Sequence, residues 1–315
     1  MNIETHPAPH EFLNALYYRI HGFEPDFPSP SDLQMLGIQA FQVATANDET
    51  IKFDPFFFLP HPERLLQKYP LDDSSATSLS KPRTLRDPTP TLENLLKDGA
   101  RDPSSDPEAK LEDAKSRLRW VLRDRDYYKN KWYTHADQVH SHICQEVFAR
   151  RKGPTGTFYP CDLVGQSLWS PKWRKGEPYT LCLEPKEWRV MEQYRYSGYR
   201  PPKPHGVISC LAHVCTTDIN QGLATHELRA IVNIMVIRTL HRPFRDCQIH
   251  PILVLSYLGY RKARIIQAVY DGQGLTLQYS QLWTFDNEET APVEMFVRYR
   301  LSQPIGLEVS TVCVR

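Results

Sequence analysis

The chain has 315 residues, and its 38 Lys and Arg against 37 Asp and Glu give a formal net charge of +1 at pH 7. The chain therefore has no overall basic excess that would indicate a nucleic-acid partner, and no overall acidic excess. Its 41% of hydrophobic residues suffices for a folded core. No apolar run approaches the roughly 20 residues of a membrane helix, and residues 1–6 lack the pattern of a signal peptide. Seven Cys without framework spacing are typical of reduced thiols. We therefore expect a cytoplasmic or nuclear protein without a membrane partner.

The N-terminal third divides into two segments of opposite composition. Residues 1–71 contain aromatic and apolar clusters at 12–18 and 53–59, which predict a docking segment that packs on the main domain or on a partner. Residues 72–106 are dominated by Ser, Thr, Pro, Asp and Arg with isolated Leu. Such a composition buries too little surface to offset chain entropy, so we predict a disordered linker.

Residues 107–152 have the pattern of one long charged helix that ends before Gly153 and Pro154. Its apolar stripe has nearly the spacing of a coiled-coil seam, which Arg125 and His135 interrupt. One interpretation is a coiled coil that binds a protein partner or a second copy. The other is a helix packed along its own domain. The stripe consists of Leu111, Ala114, Leu118, Val121, Tyr128, Trp132, Val139, Ile143 and Val147.

A globular α+β domain is predicted over residues 153–315. Its first part mixes Trp and Tyr with Lys and Arg, which is typical of surfaces that stack bases and contact phosphates, and equally of ordinary loop-rich surfaces. A nucleic-acid surface requires five basic side chains to converge on one face. These are Arg195, Arg200, Arg261, Lys262 and Arg264.

The region after residue 220 has the clearest element pattern. Thr225 can cap a helix whose first turn holds Glu227, and the apolar residues that follow predict a helix covered on several sides. Asp271 begins a tight turn between two predicted strands. We predict an α-β-β-β-α-β module with an antiparallel meander. Its elements are a helix from 225, strands at 251–257, 264–270 and 275–279, a helix from 292 to 301 and a last strand at 306–314.

This order resembles the core of the PD-(D/E)XK nuclease superfamily over residues 217–314. In active members of that family, acidic residues on the helix and strands hold a divalent metal and a Lys orients the attacking water. The resemblance places Glu227 at the helix acid and Asp271 at the strand Asp. At the third position the chain has Gln278 followed by Tyr279 and Ser280, without a carboxylate or a Lys. The resemblance therefore implies a catalytically degenerate module. Alternatively, Glu227 stabilises its helix and Asp271 its turn.

A second metal hypothesis rests on two pairs of soft and imidazole ligands. Cys210 and His213 form the first pair, and Cys247 and His250 form the second. The first pair lies in a run typical of a buried strand, where free Cys is common. A structural role is therefore favoured over zinc binding.

The C-terminal third is also similar to uncharacterised proteins common in filamentous fungi. The similarity is carried by residues 250–256, 263–268 and 296–299 with Asp271 and Gly272, after a Ser/Pro linker and a charged helix. It implies a lineage rich in accessory and secondary-metabolism proteins.

Three functional hypotheses follow. The first is a non-catalytic interaction protein that binds a partner or itself through helix 107–152. The second is an enzyme or accessory protein of fungal secondary metabolism with a pocket around His213, His226 and Glu227, which would require these side chains to cluster in an apolar cleft. The third is a nucleic-acid-binding protein with residual metal-dependent nuclease activity.

Overall fold

A computed structural model gives the placement of most of the N-terminal and C-terminal regions. The described residues are 9–46, 49–72, 111–112, 115, 131–152, 163, 169–171, 188–196, 203–212, 222–240, 244–245, 247–259, 261–287 and 289–306. The predicted linker lies outside them except for Asp72, and the predicted strand 306–314 lies outside them except for Gly306. Within these ranges, none of the helices has the length and apolar character needed to cross a bilayer.

The described chain forms six helices and ten strands. The helices are α1 (Pro9–His21), α2 (Pro30–Leu36), α3 (Leu65–Lys68), α4 (Lys131–Phe148), α5 (Thr225–Leu240) and α6 (Val293–Arg300). The strands are β1 (Ile38–Gln42), β2 (Phe58–Leu59), β3 (Trp169–Pro171), β4 (Trp188–Tyr196), β5 (Gly206–Ala212), β6 (His250–Leu258), β7 (Lys262–Tyr270), β8 (Leu275–Tyr279), β9 (Trp283–Thr284) and β10 (Gln303–Pro304). The predicted α+β class is confirmed. Between α5 and α6 the three predicted strands are present as β6, β7 and β8, and the two-residue strand β9 is an addition that was not predicted.

The main sheet joins strands from all parts of the described chain. Its order is β1-β8-β7-β6-β5-β4-β3, and β9 pairs with β7. β6, β7 and β8 form the predicted antiparallel meander, whereas β1 runs parallel to β8 and β5 runs parallel to β6. β10, the last strand of the described chain, does not join the main sheet and pairs with β2 in a separate two-stranded sheet. The C-terminal elements are therefore part of a larger mixed sheet.

Helices cover both faces of this sheet. β6 and β7 are buried almost along their whole length, as expected for central strands with a helix on each side. α1 and α5 cover one face, where α5 buries Ile231, Val232 and Ile234. The other face carries α4, α6 and the segment 51–58. α5 is thus enclosed on several sides, as its apolar circumference predicts.

α4 places its apolar stripe on the protein's own sheet. Val139, Ile143 and Val147 are buried in one cluster with residues of β5, β6 and α6. For residues 131–148, the interpretation in which the helix packs along its own domain therefore applies. The helix ends at Phe148, earlier than the predicted Lys152, because Arg151 forms a strand-like bridge with Leu71. Most of residues 107–130 lie outside the described part of the chain.

α2 and β1 are set by local sequence signals. Ser29 and Asp32 form a capping box at the start of α2, and Pro30 begins the helix. Gly37 ends it with a left-handed φ of 74°, which Gly adopts without the steric cost that a Cβ brings. The chain can therefore turn directly into β1, the terminal strand of the main sheet.

Candidate functional site

The first turn of α5 is anchored to the loop that follows α1. The backbone N–H of Thr225 donates to the carbonyl oxygen of Asp26 at 2.8 Å, and its hydroxyl donates to the carbonyl oxygen of Pro25. The predicted role of Thr225 as the helix cap is wrong, because Thr225 is already the first residue of α5 and the carbonyl oxygen of Ala224 accepts the N–H of Leu228 at 3.2 Å, which puts Ala224 at the cap position. Glu227 performs this role instead, since its Oε2 accepts the backbone N–H of Ala224 at 2.8 Å.

Glu227 forms a fully buried ion pair with Arg264. Its Oε1 accepts from Arg264 Nε at 2.8 Å and from the Ser256 hydroxyl at 2.5 Å, and its Oε2 accepts from Arg264 Nη2. Glu227 is 0% exposed and Arg264 is 2% exposed. Arg264 Nη2 also donates to the carbonyl oxygen of Gly222 at 3.1 Å, and the guanidinium lies over the ring of Tyr279. The pair thus connects α5 to the centre of the sheet.

The sheet register explains how these residues meet. Ser256 and Arg264 are directly opposite each other on β6 and β7, so their side chains leave the sheet on the same face. That face is the one covered by α5, and the positive end of the α5 dipole favours the carboxylate of Glu227. The residues are therefore brought together by strand pairing and by the position of one helix end.

The Glu227 carboxylate has no site left for a metal ligand bond. A carboxylate offers about four lone-pair sites. Four donors occupy them here, namely Ala224 N, Ser256 Oγ, Arg264 Nε and Arg264 Nη2. Arg264 supplies the positive charge that a divalent ion would supply in a nuclease. The geometry therefore fits a structural ion pair and does not fit metal coordination by Glu227.

Asp271 lies far from Glu227. Its Oδ1 accepts the backbone N–H groups of Gln273 and Gly274 at 2.9 and 3.0 Å, which is the hydrogen bonding of a tight turn. The side chain is exposed at the end of β7, about 23 Å along the strand from Arg264. Glu227 and Asp271 therefore do not share a metal, and the position of Asp271 agrees with the turn alternative.

Gln278 is buried and binds backbone. Its Oε1 accepts the N–H of Asp54 at 2.7 Å, and its amide donates to the carbonyl oxygen of the same residue. Gln267, its cross-strand partner, accepts the N–H of Phe57 at 3.1 Å and donates to the carbonyl oxygen of Pro55 at 2.8 Å. The two glutamines fix the segment 54–57 against the sheet. At the position that the predicted resemblance assigns to the third motif residue, the chain thus has a structural amide.

Gln278→Leu is expected to lower the free energy of unfolding by about 1–3 kcal/mol, because it leaves the N–H and the carbonyl of Asp54 without their partner. Urea denaturation measures this loss. Limited proteolysis should show faster cleavage near residues 53–58 in the variant. Thr276→Val is the matched control, since Thr276 is partly exposed on the same strand and face. Equal cleavage rates in Gln278→Leu and the wild type would contradict the structural role of Gln278.

His226 faces the loop after α1. It is 6% exposed, and its Nε2 lies 3.9 Å from the Asp26 carboxylate. His213 lies outside the described residues. The pocket hypothesis around His213, His226 and Glu227 is therefore not supported by a described cluster of these three side chains.

The predicted zinc ligands do not converge. His250 Nε2 lies 2.8 Å from the backbone carbonyl oxygen of Cys247, whereas Cys210 is opposite Ser256, about 20 Å along β6 from His250. Across the described ranges, no three His, Cys, Asp or Glu residues form a group that could hold a metal. Cys210 belongs to the apolar core beneath α5, in agreement with the structural alternative.

The five predicted basic residues do not form one described surface. Arg264 is buried in its ion pair, and Arg200 lies outside the described residues. Lys262 pairs with Leu258 at one end of the central strands, with Arg261 just before it. Arg195 pairs with Gly206, at the level of Ile252 and Ala268 near the other end. The sheet therefore separates Arg195 from Arg261 and Lys262 by about 20 Å along the strand direction alone.

A second buried polar cluster was not predicted. Arg238, 1% exposed near the end of α5, donates to the backbone carbonyl oxygens of Pro204 at 2.7 Å and of His205 at 2.6 Å. His205 and His250 flank it at the starts of the parallel strands β5 and β6, and both are 0% exposed. A sequence signal existed, since His205 directly precedes the apolar strand β5 and His250 is the first residue of the apolar strand β6.

Burial keeps both histidines of this cluster neutral. It lowers the pKa of His205 to about 3, with Lys203 and Arg238 adding to the effect and the bond to the Ile305 carbonyl opposing it. Burial also lowers the pKa of His250 to about 4, with a further contribution from the positive charge of Arg238. We therefore expect acid to destabilise this cluster.

Comparison with known proteins gives no relative from which to transfer a function. No family model, no curated protein and no solved structure matches the chain. The resemblances to PD-(D/E)XK nucleases and to proteins of filamentous fungi thus stay predictions.

Proposed function

We propose that the protein is a non-catalytic interaction protein built on a degenerate nuclease-like α+β module. The observation that carries this proposal is the complete use of the Glu227 carboxylate by Ala224, Ser256 and Arg264. A metal-dependent nuclease needs carboxylates whose lone pairs are available to coordinate the metal. It also needs a base or a Lys beside that metal. The three motif positions instead carry an ion pair, a turn and an amide that binds backbone.

In this proposal, the partner binds through the long helix 107–152. The inward stripe of α4 is covered by the sheet, so the proposal places the partner on the outward side of this helix, where Phe148 is 45% exposed. It also places the partner on the segment before α4, whose predicted stripe includes Leu118 and Val121. The proposal assigns the protein to the cytoplasm or the nucleus. An accessory role in fungal secondary metabolism stays a prediction.

Calorimetric titration of the full chain with Mn²⁺ is expected to show no saturable metal binding. Incubation of the chain with single-stranded or double-stranded DNA in Mg²⁺ or Mn²⁺ is expected to show no cleavage of the DNA. The reason is that Arg264 already neutralises Glu227. Asp271→Asn and Glu227→Gln are assayed beside the wild type, with circular dichroism as a check of folding. Saturable metal binding that Glu227→Gln abolishes in a folded protein would return the chain to the metal-dependent class.

The same preparations test the interaction part of the proposal. The full chain and Leu118→Glu/Val121→Glu serve as paired baits, because the two added charges lie on the predicted apolar stripe of residues 107–130. A binder retained by the wild type and lost by the double variant supports the helix as the partner surface. Equal binding to both baits would place the partner surface elsewhere.

A further inference from the structure

Among the described strands, β1 is the last strand on one side of the main sheet, and its outer edge is open. It is the terminal strand of the sheet and pairs with β8 from Ile38 opposite Leu275 to Gln42 opposite Tyr279. In the part of the chain that the structure describes, no strand pairs with its other edge. An open edge is a row of backbone donors and acceptors that fits another extended strand.

The alternation of the backbone defines which groups this edge presents. The N–H of Val43 donates to the carbonyl oxygen of Tyr279 at 2.9 Å, so residues of the same parity, Gln39 and Phe41, turn their backbone groups towards β8. Ile38, Ala40 and Gln42 therefore direct their N–H and C=O groups away from the sheet. These three residues are centred on Ala40.

The side chains of β1 lack the usual protection of an open edge. Natural edges carry Lys, Pro, bulges or inward charges that block pairing with another chain. Residues 33–47 contain no charged residue and no Pro. Gln39, Phe41 and Gln42 are exposed, and Phe41 reaches 45% exposure. The edge is thus uncharged and partly apolar.

We propose that β1 pairs antiparallel with β1 of a second copy of this chain, about a two-fold axis through Ala40. In this register, Ala40 faces Ala40 and Ile38 faces Gln42. The three residues whose backbone groups point away from the sheet therefore all occupy hydrogen-bonded positions, and the two strands form about six hydrogen bonds. Gln39 and Phe41 face each other at the positions between. The two sheets become one continuous sheet.

A second copy fits this edge better than a charged peptide does. On both copies the backbone groups that point away from the sheet belong to the even-numbered residues. One antiparallel register can therefore pair all of these N–H and C=O groups, as a two-fold interface requires. Neither strand brings a charge that would repel its symmetry mate. Five residues on each side bury less than the about 1,200 Å² of a stable interface, so the dimer dissociates on dilution. The inference holds whether or not the protein is catalytic.

Sedimentation equilibrium of the full chain over a concentration series up to about 100 µM tests this pairing. The average mass is expected to rise with concentration from 36.6 kDa towards twice that value. Gln39→Lys/Phe41→Lys places Lys opposite Lys twice in the dimer, and it should raise the dimer dissociation constant at least about tenfold. Gln39→Lys/Phe41→Glu places Lys opposite Glu in the same register, and it should associate at least as well as the wild type.

The two double variants carry changes at the same two exposed positions, so their comparison separates the register from a loss of apolar surface. Met35→Lys is a further control, since Met35 is 67% exposed on α2 and outside β1. Circular dichroism and the melting temperature verify folding. A wild type that stays monomeric overturns the inference. A dimer that persists in Gln39→Lys/Phe41→Lys also overturns it, and would leave the long helix of the proposed function as the site of self-association.

Discussion

Glu227→Gln is expected to lower the free energy of unfolding by about 3–5 kcal/mol, because it leaves the guanidinium of Arg264 buried without a counter-charge. Arg264 is 2% exposed and lies between α5 and the sheet, so water cannot replace the carboxylate without opening the core. Urea denaturation followed by circular dichroism measures this loss as a lower midpoint. Arg264→Met should give a loss of similar size by leaving the Glu227 carboxylate unpaired.

The double variant separates the ion pair from its surroundings. Glu227→Leu/Arg264→Met removes both charges, and it should recover much of the stability that either single change loses. Part of the loss remains, since Ser256 and the N–H of Ala224 still lack their acceptor. Asp271→Asn is the matched carboxylate control, because Asp271 is exposed, and it should change stability by less than about 1 kcal/mol. Equal urea midpoints for Glu227→Gln and Asp271→Asn would contradict the role of the ion pair.

The protein is also expected to lose stability steeply as the pH falls from about 6.5 towards 4. The folded pKa values of His205 and His250, about 3 and about 4, lie below the ordinary value of 6.5. Between these values the unfolded chain binds protons that the folded protein does not bind, so stability rises with pH across the window and is lost on acidification. Acidification through the whole window lowers the free energy of unfolding by about 3 kcal/mol through His250, and by more through His205.

Urea denaturation at a series of pH values between 4.5 and about 7.5 measures this dependence. His250→Gln keeps a side-chain donor for the Cys247 carbonyl but cannot take up a proton, so its stability should fall less than that of the wild type on acidification. His205→Gln should behave alike, with its amide directed to the Ile305 carbonyl. His142→Gln, on the partly exposed side of α4, is the control. Wild-type and His250→Gln profiles of equal slope would disprove the assignment to His250.

Much of the C-terminal region could be predicted from the sequence because its signals are local. The apolar circumference of α5, the short branched run of β6 and the turn at Asp271 each lie within a few residues of the element they define. The pairing of β1 with β8 and of β5 with β6 joins residues far apart in the chain. Periodicity contains no information about such partners, so the extent of the mixed sheet could not be predicted.

The residues of the ion pair were predicted singly but not as a pair. The sequence predicts a metal ligand or a helix-stabilising carboxylate for Glu227, and a nucleic-acid contact for Arg264, because each prediction depends only on neighbouring residues. A signal for the pair existed in the position of Arg264 between Ala263 and the apolar run Ile265–Ile266. A charged residue in the middle of a buried strand requires a buried counter-charge, and a carboxylate at a helix start is one of few candidates.

The pairing of β1 with β8 also determines when the fold can be completed. Ile38 and Leu275 are more than two hundred residues apart, and the first strand therefore finds its place only after most of the chain has been synthesised. Closing so long a loop costs little extra free energy, because the entropy grows only with the logarithm of its length, but non-local pairing slows folding. During translation β1 has both edges unpaired, and in that interval a nascent chain with an uncharged strand is most exposed to association with the wrong partner.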